Sequence, residues 1–220
     1  MAELSRMRGE GIEGKPRPLP PLGTPGAGGG EPAELSPVDA LTVEHNLIRR
    51  VMRAMEGVVA QITEDGVIDP YMLLRIADFV QTYAHRVHHG KEEEILFREL
   101  HGKDLEPAHR RTMEELAHEH VEMRSLVGDL TEALKAYPSG DEERVRAIRE
   151  ALSGLTDRYP SHLEREEVDF FPAVKGYLDE DDMEAVLEEM AGHDRALIHE
   201  KYGSLADGLA AVTEDWELRE

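Results

Sequence analysis

The chain has 220 residues, enough for one good core or one domain with a tail, and its 33% charged and 40% hydrophobic residues suit a soluble globular protein. A formal net charge of -22, from 47 acidic against 25 basic residues, opposes non-specific binding to nucleic acid or to an anionic membrane, so neither is expected as a partner. Cysteine is absent, which excludes disulfides, thiolate nucleophiles, iron–sulfur clusters and cysteine zinc sites, and leaves His and carboxylate as the only strong ligands for a transition metal.

Residues 1–36 read as a disordered tail, because they hold 8 of the 19 glycines and 6 of the 12 prolines. The tail lacks the apolar core of a secretory signal, and no apolar run is long enough to span a bilayer, so a cytoplasmic location is expected. Residues 37–212 read as one helical domain. Ser36-Pro37 opens a first helix and Asp69-Pro70 a second; Pro107 fits near the start of a third, which Tyr137-Pro138 ends. Ser139-Gly140-Asp141 starts a fourth, and the acidic run Asp179 to Asp182 a fifth. No segment shows sustained two-residue alternation, so no strand is predicted.

The apolar spacing predicts how these helices pack. Leu41, His45, Ile48, Met52, Met55, Val59 and Ile62 follow one another at intervals of 4-3-4-3-4-3, and Met113, Leu116, His120, Met123, Val127, Leu130 and Leu134 at 3-4-3-4-3-4. The fourth helix keeps a like stripe through Val145, Ile148, Leu152, Leu155, Tyr159, His162, Glu166, Phe170 and Ala173. Such seams belong to an all-α, antiparallel up-and-down four-helix bundle, to which the fifth helix adds a packing element. The second helix is less regular; its apolar face centres on Ala77, Val80, Ala84 and Val87.

Polar groups interrupt the seams. His45 and His120 take core positions, His118 points away, and His162 and Glu166 take two successive core positions. Burying such groups destabilises a bundle unless a cation compensates them. On the second helix, HHGKEEEILFR from His88 aligns with HLEREEVDFFP from His162, matching His88 with His162, Glu92 with Glu166 and Phe97 with Phe171. Residues four apart share a helix face, so each His-x3-Glu pair can grip one site. At about 100° per residue His88 lies roughly 40° from the apolar face and His89 roughly 140°. His88 is therefore the expected ligand, with His89 an alternative that Gly90 leaves open. His85 and His89 are otherwise expected at the surface or beside the site, and Glu44, Glu93 and Glu167 are expected in solvent or beside ligands. The metal set is then His45, His88, Glu92, His120, His162 and Glu166: four imidazoles and two carboxylates, suited to two ions bridged by the carboxylates.

The strings VEHNLI at Val43, HHGKEEEILF at His88, HEHVEMR at His118 and HLEREEVDFFP at His162, taken together and in order, resemble the hemerythrin-like, HHE cation-binding proteins over about residues 38–205. The resemblance implies a non-haem di-iron centre on the same six residues, with manganese or zinc as alternative ions, binding or sensing oxygen or a related small molecule such as peroxide or nitric oxide. It equally admits a di-iron oxidoreductase acting on peroxide or nitric oxide, or an iron-buffering protein. Oxygen carriers of this type resemble a pattern with His-x3-His on the third helix and His-x4-Asp on the fourth. Here Leu116 stands four before His120, and the fourth helix carries His-x3-Glu, which puts oxygen carriage in doubt. Tyr83 and Tyr159 are read first as core residues, and then as donors to a bound ligand. Pro160, inside the fourth helix, should remove a backbone hydrogen bond and bend it. His193, Asp194, His199 and Glu200 are read as part of a packing helix.

Overall fold

The computed structural model describes residues 35–66, 69–135 and 141–197, which lie within one compact unit, Leu35–Glu220. Residues 1–34 of the expected proline- and glycine-rich tail, the Tyr137-Pro138 stop and His199-Glu200 fall outside them, while Ser36, the last residue of that tail, caps the first helix. Every described element is helical, and none is long and apolar enough to cross a membrane.

Helices α1, α2, α4 and α5 begin where a side chain satisfies backbone N–H groups left open at the first turn. Helix α1, Pro37–Asp65, starts on Ser36, which exchanges hydrogen bonds with Asp39, and ends on Gly66 in the left-handed region at φ 63°. Helix α2 runs unbroken over residues 70–101 after an Asp69 cap. Helix α3 is Pro107–Lys135. Helix α4 covers residues 142–174, capped by Asp141, and passes into a 3₁₀ turn, Lys175–Tyr177. Helix α5 covers residues 180–197, opened by reciprocal bonds between Asp179 and Asp182. Pro160 lies inside the continuous helical run of α4.

The first four helices form the bundle, α1 against α4, α4 against α3, and α3 against α2. Their apolar side chains make two separate layers. One contains Ile48, Met55, Val80, Met123, Leu152 and Leu155; the other contains Leu41, Leu96, Phe97, Leu116, Phe170 and Phe171, with Val186 and Met190 added by α5. Every bundle helix crosses from one layer to the other through polar residues. His45 stands between Leu41 and Ile48, His120 between Leu116 and Met123, His162 and Glu166 between Tyr159 and Phe170, and His88, His89 and Glu92 between Ala84 and Ile95.

Helices α2 and α4 are not α-helical throughout. Val80–His88, Glu92–Phe97 and Glu166–Phe170 are π-helical. A wider turn shifts the inward face by part of a residue, which the 100° rule does not anticipate. The effect on α2 corrects the sequence reading: Val87 is only half-buried, whereas His85, His88 and His89 are all buried.

Candidate metal centre

Seven side chains meet in the plane between the two apolar layers: His45, His88, His89, Glu92, His120, His162 and Glu166, each 0% or 1% exposed. The structure thus brings together all six residues picked from the spacing, and adds His89. His118 is 74% exposed, so the seam separates it from His120 as expected. His45 Nε2 lies 3.0 Å from His88 Nε2, and His120 Nε2 lies 3.1 Å from His162 Nε2. The two carboxylates sit between these pairs. Glu166 offers Oε2 to His45 Nε2 at 3.3 Å and Oε1 to His162 Nε2 at 3.0 Å; Glu92 offers Oε1 to His88 Nε2 at 3.5 Å and Oε2 to His120 Nε2 at 3.4 Å.

An outer ring of carboxylates holds the imidazoles. Glu44 of α1 accepts from His88 Nδ1 on α2 at 2.9 Å, and Glu93 of α2 from His120 Nδ1 on α3 at 2.8 Å. Glu119 of α3 accepts from His162 Nδ1 on α4 at 2.8 Å, and Glu167 of α4 from His45 Nδ1 on α1 at 2.7 Å. Each helix hands a carboxylate to the next, and the last returns to the first. The helix that receives also supplies a cation to the same carboxylate: Lys91 to Glu44, Arg124 to Glu93 at 2.6 Å, Arg165 to Glu119 at 2.8 Å and Arg49 to Glu167 at 2.7 Å. Sequence reasoning placed Glu44, Glu93 and Glu167 in solvent or beside ligands and overlooked Glu119. The repeated signal was present, as Glu-His-x3-Arg at Glu44 and at Glu119, and as His-x2-Lys/Arg-Glu-Glu at His88 and at His162.

These contacts fix which ring nitrogen donates outward. A carboxylate only accepts, so each imidazole donates from Nδ1, and in the neutral ring Nε2 is a lone pair aimed inward. For the outer carboxylates, hydrogen bonds from the imidazoles and cations keep the acid form disfavoured. Burial pulls Glu93 and Glu167 upward, but their bonds to His120 and Arg124, and to Arg49 and His45, leave both below the ordinary value of 4.5. Glu44 is lowered in the same way, against burial, by His88 and Lys91; Glu119 is lowered chiefly by its bond from His162. Burial, with His88 alongside, pushes His45 down to about 4. Burial acts on His162 too, but the charge of Glu166 and the bond to Glu119 carry it up to about 9.

The inner carboxylates have no such partners. All four oxygens of Glu92 and Glu166 are buried without a hydrogen bond, and the 3.0 Å approach of His162 Nε2 to Glu166 is misaligned for one. Burial and the neighbouring Glu166 hold the Glu92 carboxyl well above its ordinary range. Glu166 goes well below: burial pulls it upward, but the charge of His162, together with the approach of His120 and His45, more than offsets burial. Inward lone pairs and bare carboxylate oxygens, in an apolar shell, are the donor set of a hard or borderline cation. The spacing fits as well: two nitrogens bonded at about 2.1 Å to one ion at a right angle stand about 3.0 Å apart. One group, His45, His88, Glu92 and Glu166, and a second, His89, His120 and His162, each bring their ligand atoms within 4.8 Å of one another.

Aromatic rings seal the plane. Phe171 stacks on His45 at 5.8 Å between centroids, and Phe97 on His120 at 6.2 Å. Tyr159 is fully buried, 6.5 Å from His162 between centroids, and its hydroxyl has no partner. Tyr83 is only half-buried and stacks on Phe79. Two clefts approach the centre from outside. Arg49, Met52, Tyr159, Pro160, Leu163 and Val168 are among the residues around one of about 370 Å³ between α1 and α4; Gln81, His85, Arg124, Val127 and Thr131 are among those around another of about 480 Å³ between α2 and α3.

Helix α5 closes one flank. His193 Nε2 bonds to the carbonyl of Arg86 at 2.8 Å, and Asp194 reaches Lys91 at 3.0 Å. Among the described residues, then, α5 is a packing helix, as expected.

Residues 36–174, and in an overlapping match residues 114–220, fit the family model of the hemerythrin HHE cation binding domain. No curated protein matches the chain.

Proposed function

The chain belongs to the hemerythrin HHE cation-binding family, and on that premise we propose that it is a non-haem di-iron protein that binds or senses oxygen or a related small molecule such as peroxide or nitric oxide. Residues 37–212 form the metal-binding domain in this reading, and His45, His88, Glu92, His120, His162 and Glu166 hold the ions. One observation carries it: four imidazoles, each held through Nδ1, aim Nε2 at four buried carboxylate oxygens that accept no hydrogen bond. The outer ring is neutral in itself, four carboxylates against four cations, so its cations are taken up there and none is left over for Glu92 and Glu166.

Bound iron supplies electron exchange and open coordination positions; the chain supplies everything else. The outer carboxylates hold the Nδ1 protons and so keep each ring turned inward. Leu163 and Pro160, with Met52 and Val168, give the α1–α4 cleft an apolar wall that admits a small uncharged molecule. Tyr159 ends that cleft. Burial, with Glu166 and Glu92 nearby, pushes its hydroxyl well above the usual phenol range, so it stays an O–H donor. That unpartnered hydroxyl favours a second reading, an oxidoreductase acting on peroxide or nitric oxide, in which Tyr159 donates to the bound substrate.

Metal content and a visible spectrum on protein purified without added metal test the proposal. Two irons per chain and oxo-bridged ferric absorption are expected; less than one metal per chain would overturn it. Reversal of the air-induced spectrum under vacuum separates binding from turnover, which peroxide consumption would reveal.

A further inference from the structure

Resting on that di-iron reading, we propose that Asp194 of α5 is a positioning residue for the centre: through Lys91 and Glu44 it sets the ring of His88, so that one of the two ions answers to a helix outside the bundle. Three of the four cations in the outer ring are arginines, 34–39% exposed. The fourth, Lys91, is 4% exposed and has Asp194 against it. A guanidinium is a planar fork whose several donors orient the carboxylate they meet, whereas an ammonium is a point charge on a flexible stem. Arg49 accordingly grips both oxygens of Glu167, at 2.9 and 2.7 Å, and Arg124 both of Glu93, at 2.6 and 3.4 Å. Lys91 donates to Glu44 at Oε1 alone, while Glu44 Oε2 accepts from His88 Nδ1 at 2.9 Å. Where that ammonium stands therefore sets how the carboxylate turns and where the imidazole points.

Asp194 holds the ammonium from the other side, with Oδ1 at 3.0 Å and Oδ2 at 3.2 Å from Nζ. The line Asp194–Lys91–Glu44–His88 runs from a side chain 41% exposed to one fully buried at the centre. Charge balance does not call for its outermost member. Glu44 alone neutralises Lys91, as Glu93 does Arg124 and Glu167 does Arg49, so a further carboxylate adds direction rather than neutrality. The fold also makes room for it. Gly90 precedes Lys91, and a Cβ there would come within 2.8 Å of His193 Nε2, so this glycine lets α5 come close. His193 then donates from Nε2 to the Arg86 carbonyl at 2.8 Å, and Asp194, the next residue, takes the ammonium. In the other half the exposed Glu164 stands where Gly90 does, and Arg165 where Lys91 does. Glycine and lysine go with the covering helix, glutamate and arginine with an open flank.

The test uses the full chain loaded with Fe(II) and stripped by a competing chelator. Asp194→Asn should weaken one of the two ions by up to about tenfold and leave the other unchanged. Glu44→Gln should weaken the same ion by about 10–100-fold, and in the double variant the two effects should fall short of their product, because both break one line of contacts. Glu119→Gln, in the opposite half, should combine with Asp194→Asn as the full product. On the metal-free chain, proton NMR should show the Nδ1–H signal of His88 displaced by Asp194→Asn while those of His120 and His162 hold. Equal weakening of both ions, or full multiplication with Glu44→Gln, reduces Asp194 to a packing contact and overturns the inference while the di-iron reading stands. A chain that takes up no metal overturns that reading, and the His88 signal then decides the inference alone. Asp194→Ser carries the same comparisons if the Asn variant does not fold.

Discussion

The α1–α2 half and the α3–α4 half of the bundle supply the centre with nearly the same parts. Glu44, His45 and Arg49 answer to Glu119, His120 and Arg124; His88, Lys91, Glu92, Glu93 and Phe97 answer to His162, Arg165, Glu166, Glu167 and Phe171. The halves part company beside the centre. His85 and His89 stand opposite Tyr159 and Leu163, and Gly90, covered by α5, stands opposite the exposed Glu164. What repeats is the frame of imidazoles and carboxylates; what differs is access and polarity beside it.

Removing a shared ligand should have the largest effect. Glu166 approaches His45 on one side and His162 on the other, so Glu166→Ala should lose both ions, whereas His45→Ala or His120→Ala should first deplete its own side. Metal analysis per chain distinguishes the cases, and equal depletion of both positions by His45→Ala would break the picture of two separate ion positions. Next come the outer carboxylates. Glu44→Gln and Glu119→Gln should each weaken metal binding by about 10–100-fold, and by like amounts if the halves are equivalent in this ring. Competition with a chelator measures it.

Acid should loosen both halves together. Glu44, Glu93, Glu119 and Glu167 all sit below 4.5 in the fold, so the stability they lend is complete above that value and is lost as pH falls through their lowered values. Thermal melts from pH 6 downward should show a decline beginning near pH 4.5 and steepening below it; a protein losing no stability there would contradict the ionised outer ring. A smaller effect should come from the covered flank. A Cβ at residue 90 would come within 2.8 Å of His193 Nε2, so Gly90→Ala must shift that ring from the Arg86 carbonyl. Overpacking of about 1–3 kcal/mol should outweigh the roughly 1 kcal/mol that Ala gains over Gly in a helix, lowering the melting temperature. His118→Ala should be silent, within about 0.5 kcal/mol and with unchanged metal content.

The helices were legible because two of the four seams keep a strict 4-3 spacing and a third keeps it as far as Glu166, and because Ser36, Asp69 and Asp141 are residues that cap. The polar residues meeting at the centre were legible for the same reason: His45, His120, His162 and Glu166 fall on seams that would otherwise be apolar. Helix α2 was not readable in that way. A π turn is a slip in hydrogen-bond register that leaves no local mark in residue type, and it brought His85 and His89 inside when a uniform 100° step set His89 outside. The outer ring was missed because its members lie next to the inward-facing residues, on positions that a single helix presents as polar. Their meaning appears only when a neighbouring helix delivers an Nδ1–H and a guanidinium or ammonium group.

The closed circuit in which α1 serves α2, α2 serves α3, α3 serves α4 and α4 serves α1 has a direction, and a direction can be read by a folding chain. Turned the opposite way about its axis, the same four rods would aim Glu44 at α4 and Glu119 at α2, and no donor would meet its acceptor. Sliding any one rod by a single residue would undo two links at once, the one it gives and the one it takes. Handedness and vertical alignment of the assembly are therefore written in eight charged side chains at its waist, independently of how the greasy layers above and below choose to settle.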